Sequence, residues 1–184
     1  MGKIDQGLYQ GARYLASRNH DSRSDPDDIS LLVVHGISLP PGRFGGPYID
    51  QLFTNSLNPE EDPYFAGIHQ LRVSSHLLIR RDGEVVQYVP FSLRAWHAGV
   101  SVYDGREGCN DYSIGIELEG TDEIAYEPIQ YQRLAEVSQE IMLEYPHITK
   151  QRIVGHCDIA PGRKTDPGAA FDWTHYFTLL QGST

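Results

Sequence analysis

The run Leu31-Leu32-Val33-Val34 is the longest uninterrupted apolar stretch of the chain, is partly β-branched, and is closed by His35-Gly36. A strand covered on both faces has this composition, so residues 31–36 are read as a core strand with His35 at its C-terminal end. Ser75-His76-Leu77-Leu78-Ile79-Arg80 and Glu84-Val85-Val86-Gln87-Tyr88-Val89 flank Asp82-Gly83. An Asp-Gly pair between two such runs predicts an antiparallel hairpin. Residues 113–120 alternate small or polar residues with Ile114, Ile116 and Leu118. At a period of two, the even-numbered side chains face the core, and Glu117 and Glu119 share the opposite face. Pro128, followed by Leu134, Val137, Ile141 and Tyr145, has the spacing of one helical face, which Tyr145-Pro146 ends. Residues 152–156 are predicted to form another short strand, ending in His156, and residues 173–180 a last short helix.

Residues 39–47 and 160–168 are dense in Pro and Gly and are predicted to be loops. Residues 48–57 suit a short helix, while 58–67 return to turn chemistry. The whole stretch 36–70 is therefore expected to be mostly irregular and is a lid candidate by its length. These elements predict an α/β (α+β) fold, a central mixed sheet flanked by helices, whose strand order the pattern does not set. At 184 residues the chain is expected to form a single domain over 1–184.

A hydrophobic fraction of 40% and a charged fraction of 22% are those of an ordinary globular protein. The formal net charge of -10 repels phosphate backbones and argues against nucleic acid as the main partner. Cys109 and Cys157 are too few for a disulfide framework or a four-thiolate zinc site. No apolar stretch is long enough for a membrane span, and the start, MGKIDQGLYQ, has no hydrophobic export segment, so a cytoplasmic location is the expectation.

Two predicted strands end in His, and the second is followed ten residues on by Asp166 in a tight loop. His35, His156 and Asp166 would give two imidazoles and a carboxylate, the three-ligand set of a catalytic zinc that leaves a position for water. Spacing alone is a weak signal, and by itself it favours histidines that merely satisfy the core or a loop. Lys164, two residues before Asp166, could stabilise an oxyanion; the alternative is a solvated loop charge. Glu117 is either exposed or a general base, with Glu119 on the same face as its competitor. Gly115 beside Glu117 would leave room for a ligand.

Val33-Val34-His35, Trp96-His97-Ala98-Gly99, Ser113-Ile114-Gly115-Ile116-Glu117-Leu118-Glu119-Gly120 and the run from Gly155-His156-Cys157-Asp158 through Gly162-Arg163-Lys164-Thr165-Asp166-Pro167-Gly168 together resemble the type 2 N-acetylmuramoyl-L-alanine amidases of the peptidoglycan-recognition superfamily. The likeness is strongest to their cytoplasmic branch, which acts on 1,6-anhydro-N-acetylmuramyl peptides. It implies a Zn2+ hydrolase with His35, His156 and Asp166 as ligands. It further implies that Glu117 takes a proton from water and that Lys164 steadies the tetrahedral intermediate. The implied substrate is a soluble anhydromuropeptide, cut between the lactyl group and L-alanine during cell-wall recycling. A monomer with no nucleic acid or membrane partner is expected. Muropeptides carry carboxylates, for which Arg72 and Arg163 are the candidates; Trp96 and His97 could line the sugar site, or serve packing only. Two positions depart from the family pattern: Gly36 stands where Asn is expected and Gly108 where Arg is expected. Rival readings are a non-catalytic peptidoglycan-binding module and a lytic amidase acting on intact wall.

Overall fold

Leu31–Ile37 and Ser113–Glu119 lie side by side and parallel, with Ser113 opposite Leu31 and Glu119 opposite Ile37. They form the middle of the sheet in a computed structural model that describes residues 3–182. All seven residues of Ser113–Glu119 are buried, because this strand is paired on both edges and covered on both faces. In chain order the main sheet contains β1 (Arg13–Tyr14), β2 (Leu31–Ile37), β3 (Leu77–Ile79), β4 (Val85–Gln87), β5 (Ser113–Glu119) and β6 (Ile153–Gly155). Across the sheet the order is β6-β2-β5-β3-β4-β1. Only the β3–β4 hairpin, with Ile79 opposite Val85, is antiparallel; the other pairings are parallel. The sheet is therefore mixed, as expected.

One face packs on two helices. Leu32, Val34, Ile114, Ile116 and Leu118 meet Tyr131, Leu134, Val137 and Ile141 of α2 (Pro128–Glu144) and Tyr176 of α4 (Trp173–Gln181) in a single core. The α2 start is fixed by Pro128 and by a reciprocal cap in which Gln130 accepts from the Glu127 amide at 2.9 Å.

On the other face, residues 36–70 depart from the irregular lid expected of them. Leu39, Leu57, Phe65 and the α1 residues Ile49, Leu52 and Phe53 (α1, Tyr48–Phe53) pack against Leu78, Val86 and Tyr88 of the sheet. Turn residues dominate this stretch in number, but the apolar residues between them cover a sheet face that would otherwise be wet. At the N-terminal end of β2 and β5 on this face, Leu31, Val33, Ala98, Cys109 and Tyr112 make a smaller core, leaving His35 and Glu117 between the two clusters.

The expected strand 152–156 is shorter than predicted: β6 stops at Gly155, and His156 opens the four-residue helix α3 (His156–Ile159). The cause is local. The Asp158 carboxylate accepts from the Gly155 amide at 2.7 Å and caps the turn. Cys157 also lies on this helix; its thiol is half-buried and its amide donates to the Asp166 carbonyl at 2.9 Å.

Candidate active site

Parallel register sets Glu117 directly beside His35 on the same sheet face. β6 lies along the other edge of β2, with Gly155 opposite Val34, and so delivers His156 next to His35. The Pro/Gly loop then returns Asp166. The three donor atoms converge: His35 Nδ1 to His156 Nδ1 is 3.0 Å, His156 Nδ1 to Asp166 Oδ2 is 3.0 Å, and His35 Nδ1 to Asp166 Oδ2 is 3.3 Å. Among the described residues these form a group able to hold a metal ion.

The hydrogen-bond pattern tests that fit. His156 Nε2 lies 3.2 Å from the Ala98 carbonyl, which can only accept, so Nε2 carries the proton and a neutral His156 presents a bare Nδ1. That lone pair faces a carboxylate oxygen and a second ring nitrogen at 3.0 Å. Lone pairs gathered this closely require a proton or a cation between them, and two imidazoles with one carboxylate are donors suited to zinc. Burial pushes His35 down to about 4, although Asp166 beside it acts the other way. Its ring is thus neutral near pH 7 and free to coordinate. Burial alone would raise Asp166, but hydrogen bonding to His156 and His35 holds its carboxyl well below the usual range.

Glu117 is 8% exposed, with one carboxylate oxygen 4.0 Å from His35 Nδ1 and the other buried without a hydrogen-bond partner. Burial first, and the charge of Asp166 second, raise its pKa well above the ordinary carboxylate value, with Lys164 opposing. The competing Glu119 is also buried, but its oxygens accept from the Gly45 amide at 2.6 Å and the Arg81 amide at 3.2 Å, with Arg80 3.8 Å away. Glu119 therefore ties residues 36–70 to the sheet, and Glu117 is left free.

Glu117, His156, Lys164 and Asp166 share a cavity of about 210 Å³ with Trp96 and an apolar wall of Leu52, Phe53, Leu71 and Val73. A larger cavity of about 540 Å³ between Phe44 and Glu84 contains none of the metal-binding candidates, and its Arg80 is already paired with Asp50 at 2.9 Å.

Residues 25–169 match the family described as N-acetylmuramoyl-L-alanine amidase. The chain belongs to this amidase family. It is 60% identical over 181 residues to the 1,6-anhydro-N-acetylmuramyl-L-alanine amidase AmpD of Escherichia coli (strain K12), covering 98% of each chain. It superimposes on the crystal structure of a selenomethionine derivative of AmpD with a TM-score of 0.94 at 60% identity, over 96% of this chain and 98% of that one. The E. coli amidase AmiD, solved with anhydro-N-acetylmuramic acid-L-Ala-D-γ-Glu-L-Lys, is more distant: 31% identity, TM-score 0.60, 86% of this chain and 60% of that one. The fold and the AmpD-type likeness expected from the sequence are both borne out.

Within this amidase the four expected substrate contacts sit differently from one another. Trp96 lines the cleft. His97 borders it too, but both of its ring nitrogens are engaged, by His35 at 2.9 Å and by Ser113 Oγ at 3.1 Å. Gly115 leaves room for the His97 ring and not for a ligand, since a Cβ there would stand 2.5 Å from that ring. Arg163 is directed away from the cleft, donating to the carbonyls of Ala98 at 2.7 Å and Val100 at 2.6 Å. Arg72 is exposed and donates to the Gln70 carbonyl at 3.2 Å, between Leu71 and Val73 of the cleft wall.

The two unusual glycines have structural reasons. A side chain at Gly36 would fall on the Tyr126 hydroxyl, which donates to the Pro167 carbonyl at 2.9 Å and steadies the loop next to Asp166. Gly108 has φ +71°, a left-handed conformation in which an arginine would be strained.

The sequence reading missed Ser113, Asn110 and Tyr126 as supports of the site. Their partners are distant in the chain, and a serine, an asparagine and a tyrosine carry no spacing signal for such roles.

Proposed function

We propose that this chain is a zinc-dependent 1,6-anhydro-N-acetylmuramyl-L-alanine amidase that hydrolyses the amide between the lactyl group and L-alanine of soluble anhydromuropeptides in peptidoglycan recycling. The observation that carries the proposal is the meeting of His35 Nδ1, His156 Nδ1 and Asp166 Oδ2 within 3.0–3.3 Å of one another, next to an unpaired Glu117 oxygen. The relatives named for this activity share 60% identity over essentially the whole chain, and AmiD, which was solved with an anhydromuropeptide, shares the fold.

His35, His156 and Asp166 would hold the ion. A bound zinc ion polarises the scissile carbonyl and lowers the pKa of water toward about 7. Glu117, desolvated and without a competing partner, takes the proton of the attacking water and returns it to the alanine nitrogen as the C–N bond breaks. Lys164, on the cleft wall, stabilises the oxyanion that forms on the lactyl carbonyl. Trp96 and the Leu52–Phe53 wall receive the sugar and exclude water, while Arg72 at the rim offers a cation to a stem-peptide carboxylate. The product pair is a free lactyl carboxylate and a peptide with a new N-terminal amine.

Among the described residues no helix is long and apolar enough to cross a membrane. A soluble sugar-peptide substrate is met in the cytoplasm, where we place the enzyme, acting as a monomer. Mass spectrometry of zinc-loaded protein with anhydro-N-acetylmuramyl-tripeptide should show the free anhydro sugar and the intact tripeptide, together one water heavier than the substrate. Release of peptide from intact sacculi with no cleavage of the soluble substrate would instead identify a lytic amidase, and binding without any cleavage a recognition module.

A further inference from the structure

The nitrogens of His35 and His156 that face away from Asp166 both end on one two-residue segment. His35 Nε2 lies 2.9 Å from His97 Nδ1, and His156 Nε2 lies 3.2 Å from the Ala98 carbonyl. The segment is held in place by the buried Asn110, whose Oδ1 accepts from the amides of both His97, at 3.1 Å, and Ala98, at 2.8 Å. His97 Nε2 continues the chain to Ser113 Oγ at 3.1 Å, and the bare Cα of Gly115 lets the His97 ring approach β5 closely.

These contacts dictate proton positions. With His35 Nδ1 turned toward Asp166, its Nε2 carries the proton and needs an acceptor, which is His97 Nδ1. His97 is then protonated on Nε2 and donates to Ser113 Oγ. The order His35, His97, Ser113 has one donor and one acceptor at every link, and reversing it would place a proton on His35 Nδ1, where the cation belongs.

We propose that His97 is a positioning residue which, through the chain from His35 to Ser113, holds His35 in its metal-binding tautomer, while Asn110 fixes the segment that does the same for His156. This rests on the reading of His35, His156 and Asp166 as a zinc site. Its chemistry is that of outer-shell partners, whose loss costs roughly 10–100-fold in metal affinity.

The test is zinc affinity, measured by competition with a chromogenic chelator on the full chain, together with the melting temperature of each metal-free variant. His97→Leu removes the acceptor and should weaken zinc roughly 10–100-fold. His97→Asn offers an amide oxygen where Nδ1 stood and should stay within a few-fold of the parent protein. Ser113→Ala removes one oxygen from the end of the chain and should weaken zinc in the same direction by less, and it decides the matter with His97→Asn if His97→Leu does not fold. Parent-like zinc affinity in His97→Leu or in Ser113→Ala, or equal losses in the Asn and Leu variants, overturns the proposal. Failure of the parent protein itself to bind zinc would overturn the metal-site reading instead, so the two are separable.

Discussion

Replacing Asp166 with alanine is expected to weaken zinc binding by at least roughly 10²-fold, beyond what loss of an outer-shell partner costs, and to remove measurable amide hydrolysis. Asp166 is the only carboxylate of the trio and is held ionised by His156 and His35 despite its burial, so its loss leaves two neutral imidazoles facing an uncompensated dication. The fold should persist, because Asp166 lies on a loop outside the three hydrophobic cores. Thermal unfolding separates these effects. Zinc in hundredfold excess over its dissociation constant stabilises a folded site by about 2.7 kcal/mol, so the parent protein should melt higher with zinc than with chelator. At the same zinc concentration Asp166→Ala should keep at most about 0.4 kcal/mol of that stabilisation and melt at nearly one temperature in both. A variant that retained one zinc per chain and full turnover would refute the ligand assignment.

Changing Glu117 to glutamine is expected to leave zinc bound and lower kcat roughly 10²- to 10⁴-fold, the usual contribution of a general base. Glutamine keeps the size of the side chain but cannot accept the proton of water. The sign of the pH effect follows from the direction of the shift. Burial and Asp166 raise the pKa of Glu117, the active form is the carboxylate, and so activity should fall with decreasing pH through a value above the ordinary carboxylate range. Glu117→Gln should lose that acid limb along with its rate. An unchanged kcat, or an acid limb surviving intact, would assign the base elsewhere.

Much of this site is legible in the sequence because it is built from short-range regularities. The period-two pattern of Ser113–Glu119 puts Glu117 and Glu119 on one face, and the apolar run before His35 marks a strand that ends in chemistry. What pattern could not do was choose between the two glutamates. That choice depends on Gly45 and Arg81, which are brought to Glu119 from 74 and 38 residues away. The same limit hid the second core: Leu39, Ile49, Leu52 and Phe65 are scattered among turn residues at no fixed period, and only the uncovered sheet face explains them. His156 was misplaced for a different reason. A strand-like run precedes it, and one capping contact from Asp158 to the Gly155 amide turns the chain into a helix. For His97 the pattern leaves a sugar contact and a packing role equally open; its ring nitrogens meet His35 and Ser113 at the border of the cleft. Contacts among the residues of a site leave no periodic trace in the sequence.

The most direct test of the central claim is anomalous diffraction at the zinc absorption edge from crystals of the zinc-loaded protein. The account predicts one strong peak enclosed by His35 Nδ1, His156 Nδ1 and the Asp166 carboxylate. Zinc-loaded crystals with no peak among those three atoms, or with their peak at other side chains, would contradict it.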